Sequence, residues 1–234
     1  MEIVKGLFAV LLVTTIGGCA SNATLDTSAD AKRSFDGLYP FENTIVDRAW
    51  ARADLDLSGY TKIKVEGAGI HYRPTSAAAN SRLAARRGRE TDFPIDANKR
   101  ERLSAMVAEA FLNELGKLER FELTDQVGPD VLILRGGLLD VVSRVPGNIS
   151  ARVDVYLGSV GEATLILELI DSESNTVLLR AVDRRSADSQ NRSFPSNSVS
   201  NWADVKRLAQ FWARLLRERI DQLGEELTLP EDAV

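Results

Sequence analysis

The sequence predicts an α+β domain: an antiparallel sheet of about five strands, run as a meander, with two amphipathic helices packed on one face. Two observations predict it. In residues 98–117 and again in 202–223, apolar residues recur at intervals of three and four, which turns one stripe of each helix toward a core. Between residues 131 and 185 the period falls to two, and the runs are separated by Pro, Gly, Asn and Ser clusters, as in strands joined by turns.

The elements follow in chain order. Residues 20–34 are small, polar and mixed in charge, which predicts a tether with a root-mean-square reach of roughly 20 Å. Phe35, Leu38, Tyr39 and Phe41, set around Gly37 and Pro40, predict a segment that packs on the domain. Ile63 and Val65 share a face in a first strand over 61–65, and Glu66–Tyr72 extends it beyond a glycine bend at Gly67 and Gly69. Residues 74–91, rich in Ala and Arg, read as an exposed insertion.

Asp96 is placed to cap a helix over 98–117 whose stripe includes Leu103, Val107, Ala110, Phe111 and Leu115, with Gly116 near its end. A short strand over 121–124 and a turn at Gly128 and Pro129 come next. Val131–Val145 reads as one long strand bent at Gly136 and Gly137, and 152–157 as a strand with one wet face. Residues 163–171 and 176–185 form a hairpin about the turn 172–175. Residues 186–201 read as a long polar loop before the last helix, 202–223, whose Trp212 faces the core while Phe211 sits at the margin of the stripe.

Composition narrows the function. A hydrophobic share of 44% supports a core without metals or disulfides. A formal charge of −5 argues against a nucleic-acid partner, because such binders carry a basic excess. The single cysteine, Cys19, follows the uncharged run Gly6–Gly18, which is too short to cross a bilayer as a mature helix. The run and its ending in Ile16, Gly17, Gly18 and Cys19 resemble bacterial lipoprotein signal peptides. That resemblance implies cleavage after residue 18 and acylation of Cys19; the length of the mature chain then reads as one periplasmic domain over 35–224, followed by an acidic tail over 225–234. Ala20 and Ser21, with no Asp after the cysteine, resemble lipoproteins sent to the outer membrane.

Four stretches resemble the bacterial lipoprotein family called domain of unknown function 3313: DLSGYTKIKV at 56–65, GPDVLILRGGLLDV at 128–141, GEATLILELIDSESNTVLLRAVDRR at 161–185 and WADVKRLAQFWARLLRERID at 202–221. The resemblance implies a fold and an address, and no catalytic residues. The insertion at 74–91 has no counterpart in it.

The candidate chemistry is sparse. His71 is the only histidine, which leaves no His-based metal cluster and reads as a solvated side chain. Asp140, Asp154, Asp171 and Asp183 interleave with Arg135, Arg180, Arg184 and Arg185. They read as the ion-paired wet face of a meander in preference to an acid/base or cation site. Arg82, Arg86, Arg87 and Arg89 read as a solvated loop; their alternative is a weak site for phosphates of lipopolysaccharide or phospholipid headgroups. The expectation is therefore a non-enzymatic lipoprotein without metal or cofactor. It would be held in the outer membrane facing the periplasm by its N-terminal lipid, and would bind an envelope protein partner or, alternatively, an envelope ligand.

Overall fold

A computed structural model describes residues 23–75, 92–146, 155–189 and 195–222. Among these, the elements are β1 (Thr24–Leu25), β2 (Tyr39–Glu42), β3 (Arg48–Ala51), β4 (Lys62–Tyr72), α1 (Ala97–Leu115), β5 (Glu122–Leu123), β6 (Val131–Ser143), β7 (Ser159–Asp171), β8 (Val177–Asp188) and α2 (Ser198–Gln222). The strands make one eight-stranded sheet in the order β1-β2-β3-β8-β7-β6-β4-β5.

The α+β class holds, and β6, β7 and β8 form the expected antiparallel meander. The sheet is nevertheless mixed and larger than five strands. β4 runs parallel to both β6 and β5. The 19-residue α1 carries the chain back along the sheet after β4, so the next strands start from the same end; parallel neighbours require such a crossover. The other additional strands come from the N-terminal segment: β3 pairs with β8, β2 with β3 and β1 with β2. These pairings use backbone groups and need no apolar period, which is why residues read as tether hold a strand. The N–H of Asp26 continues the pairing to the carbonyl of Pro40 at 2.9 Å.

Both helices lie on one face of the sheet. Leu115 of α1 and Ile220 of α2 meet Leu132, Leu134 and Leu169, while Leu103 and Trp212 meet Leu138, Ala163 and Leu165. Each such aliphatic side chain, taken fully from water, stabilises by about 1.5–3 kcal/mol. Between the helices Ala110, Ala209 and Ala213 allow close approach. Asp96 caps α1 as its position predicts, accepting from the N–H of Lys99 at 2.9 Å. α2 starts at Ser198, earlier than its apolar stripe, because Asn197 Oδ1 accepts from the N–H groups of Val199 and Ser200, both at 3.0 Å.

Register shifts shape the sheet. Gly69, at φ +86°, takes up a register shift between β4 and β6, so the predicted bend is present. A second shift separates β6 from β7 between Leu139 and Val142, and Gly161 there has no room for a side chain against the Val142 carbonyl. The expected strand over 152–157 is not formed by its described part, Val155–Leu157. β6 ends at Ser143, opposite Gly161, so residues before Ser159 would overhang the sheet; Val155 instead accepts from the N–H of Ser196 at 2.6 Å. The expected loop 186–201 is shorter than predicted, since β8 extends to Asp188 and α2 begins at Ser198.

Candidate functional site: an apolar groove beside the C-terminal helix

α2 packs on β7 and β8, and β3 and β2 flank those strands in the sheet. A groove of about 420 Å³ lies between α2 and this side of the sheet. Its floor is Leu165, Leu167 and Leu169 of β7, Leu179 and Ala181 of β8, and Ala49 of β3. One wall is Trp212, Leu215, Leu216 and Ile220 of α2; the other is Phe41 and the turn Asn43–Val46. The period of two in β7 and β8 puts these aliphatics on one face, and the three-and-four spacing in α2 turns its stripe toward them. Ala23, the first described residue, stands at the rim with Arg219 and Gln222. Arg219 donates to Gln222 Oε1 at 2.9 Å.

Asp183 faces this side of the sheet. Asp183, only 3% exposed, accepts at Oδ2 from Trp212 Nε1 at 2.7 Å and Arg185 Nε at 2.5 Å, and at Oδ1 from the N–H of Asp47 at 3.3 Å. It ties α2, β8 and the turn before β3 together, the arrangement a buried charge requires. Arg185 also stacks over Phe211 at 4.6 Å, which gives that partly exposed ring a partner within the chain. Trp212 is core, as its position in the stripe predicts.

The opposite face carries the ion pairs. Arg73 holds Asp140 in a fork, with Nε to Oδ1 at 2.7 Å and Nη2 to Oδ2 at 2.5 Å, and also reaches Asp92 at 2.8 Å and Glu162 at 2.7 Å. Glu162 receives Arg144 at 2.9 Å and a short contact from Arg184. Asp140 adopts φ +54°, a left-handed conformation that costs an L-residue about 1–2 kcal/mol, and the Arg73 fork fixes it there. Arg180 bridges Glu168 at 2.8 Å and both oxygens of Asp36 at 2.9 and 2.7 Å.

These partners set the charge states. The Arg180 guanidinium lowers Asp36 to about 2, and Arg73 lowers Asp140. At Glu162 burial pushes upward, but Arg73 and Arg184 together hold it below the usual range. Asp171 is lowered by Ser174, whose hydroxyl and N–H both donate to it, and then by Tyr60; burial and Asp171 in turn raise Tyr60 to about 12. Carboxylates held ionised in this way are poor proton donors near neutral pH.

The four aspartates singled out in the sequence are therefore not one cluster. Asp140 is on the ion-paired face, Asp171 closes the β7–β8 turn, Asp183 is buried on the helix side, and Asp154 lies outside the described residues. Cys19 and Arg82, Arg86, Arg87 and Arg89 also lie outside them. His71 is exposed. Among the described residues no group of three or more His, Cys, Asp or Glu is placed to hold a metal, and no helix is long and apolar enough to cross a membrane. The groove was not legible in the sequence. Its outer wall depends on β1–β3, for which the packing of Leu38, Tyr39 and Phe41 was the only signal.

The fold and groove define a mixed α+β domain with two helices on one face of a single sheet and an apolar groove beside the second helix. The chain belongs to the family described as protein of unknown function DUF3313, whose model matches residues 32–216. No curated protein matches it. Among solved structures, it is similar to the PelC dodecamer from Paraburkholderia phytofirmans, at 13% identity and a TM-score of 0.31, over 72% of this chain and 95% of that one. It is also similar to a Xanthomonas campestris protein of the DUF330 family, at 11% identity and a TM-score of 0.39, over 70% and 85%. A third is a putative neuraminyllactose-binding hemagglutinin homolog from Helicobacter pylori, at 8% identity and a TM-score of 0.33, over 72% and 84%. Likenesses at this level assign neither ligand nor partner.

Proposed function

We propose that the chain is a non-catalytic binding module of the cell envelope, anchored by acylated Cys19 in the outer membrane and facing the periplasm, where it serves as an adaptor for an envelope protein complex. The observation that carries this reading is the contrast between an open apolar groove and an opposite face whose carboxylates are neutralised and held ionised by arginines. The groove offers burial, worth about 25 cal/mol per Å² of apolar surface, and the carboxylates of the paired face are held in their ionised form. A second reading, an envelope-ligand binder, is favoured by the aliphatic lining of the groove.

In-cell crosslinking of the acylated chain, followed by purification from separated inner and outer membranes, tests the adaptor reading. A near-stoichiometric envelope protein in the outer-membrane fraction, lost in Cys19→Ala, is the expected result. Turnover of a substrate by a chain that co-purifies with nothing would overturn it. Recovery of lipid alone would move the assignment to the second reading.

A further inference from the structure

We propose that the groove beside α2 is a seat for one acyl chain of a phospholipid taken from the membrane that holds the anchor. The inference rests on the anchored, ligand-binding reading above and adds the ligand class and its site. Three observations point to it.

First, the groove floor and helical wall offer no free strand edge. Along the floor, β8 is hydrogen-bonded to β7 on one side and, over residues 179–182, to β3 on the other, and one wall is helix; at the other wall, the turn Asn43–Val46, Thr44 Oγ1 donates to the Val46 carbonyl and Arg185 to the Ile45 carbonyl. A peptide laid there would bury backbone groups without partners, whereas an acyl chain has none to satisfy. Second, the volume of about 420 Å³ falls within the ~300–1,000 Å³ of small-ligand sites. Third, the rim is close to the anchor. Ala23 lines the groove and Cys19 is four residues before it, a contour of at most about 14 Å.

The energetics agree with a lipid source. An acyl chain that leaves a bilayer for this groove exchanges one apolar environment for another, so the hydrophobic term is nearly conserved. Arg219 at the rim then adds a guanidinium for the phosphate, the pairing for which arginine geometry is best suited.

The test uses the full chain reconstituted in vesicles of phosphatidylethanolamine and phosphatidylglycerol, doped with a phospholipid that bears a photoreactive group in its acyl chain. Label is expected in peptides that carry residues 41–49 and 212–222. Ala181→Phe, which fills the floor, and Leu215→Phe, which fills the wall from a half-buried helix position, should each reduce labelling by about tenfold or more, with helical circular dichroism unchanged. Arg219→Gln should reduce it less. Label spread outside these peptides, or undiminished in both filled variants, would overturn the proposal. Label in Cys19→Ala but not in the acylated chain would also overturn it, by showing that the protein's own lipid is the occupant. The mass of the mature N-terminus tests the anchor separately: an unmodified Cys19 would sink the anchor reading, while groove labelling would still support the acyl seat.

Discussion

The two faces of the sheet are built from the same strands and do opposite things with them. On the helix side, Leu132, Leu134, Leu138, Leu165 and Leu169 are buried beneath α1 and α2, and the groove opens beside α2 over Leu167, Leu179 and Ala181. On the other side, Arg73 pairs with Asp140 and Glu162, Arg180 with Asp36 and Glu168, and Arg184 with Glu162. Carboxylates paired in this way have little left to offer a ligand, whereas a partly open apolar groove has unspent surface. The comparison is the ground for proposing that binding falls on the first face.

The largest effect is expected under the helices. Leu132→Ala, at a fully buried position, should lower the unfolding free energy by about 2–5 kcal/mol in urea titration. A loss below ~1 kcal/mol would mean that the covered half is loosely packed. Next is the tie at the groove wall. Asp183→Ala leaves the buried Trp212 Nε1 without its acceptor and should cost about 1–3 kcal/mol, with a change in Trp fluorescence that reports the freed indole.

On the ion-paired face the effect should appear as pH dependence. Asp36 has a folded pKa lowered to about 2, against about 3.9 when unfolded. Its contribution is therefore present above about pH 4 and is lost as the pH falls through about 2. Arg180→Ala should flatten acid unfolding in that window and leave the stability difference from wild type constant near neutrality; an unchanged acid limb would break the assignment. The smallest effect is expected for Arg73→Lys, which keeps the charge but loses the fork to Asp140. Solvent screening limits the cost to about 1 kcal/mol or less, seen as a small shift of the urea midpoint that shrinks in high salt.

Periodicity made the centre of this structure legible. The stripes of α1 and α2, the cap at Asp96, the β6–β8 meander and the bend at Gly69 all follow from spacing and local chemistry. Parallel pairing of β4 with β6 was not legible, because strand direction is set by where α1 returns the chain and not by any residue within the strands. β1–β3 were not legible either: Thr24, Leu25, Pro40 and Trp50 pair through backbone groups that carry no pattern. The groove shares that difficulty, since its outer wall is made by those strands. Asp183 shows the same limit on a single residue. Its alternation with Arg180 and Arg184 suggested the wet face, yet strand parity turns it inward, where Trp212 from a distant helix meets it.

The central claim, that the helix-side groove binds and the ion-paired face does not, is tested most directly by titrating an environment-sensitive apolar dye into three proteins: wild type, Ala181→Phe and Arg73→Ala. The account predicts saturable binding by wild type, weakened about tenfold or more in Ala181→Phe and unchanged in Arg73→Ala. Equal binding by wild type and Ala181→Phe, with loss in Arg73→Ala, would contradict it and place the binding surface on the opposite face of the sheet.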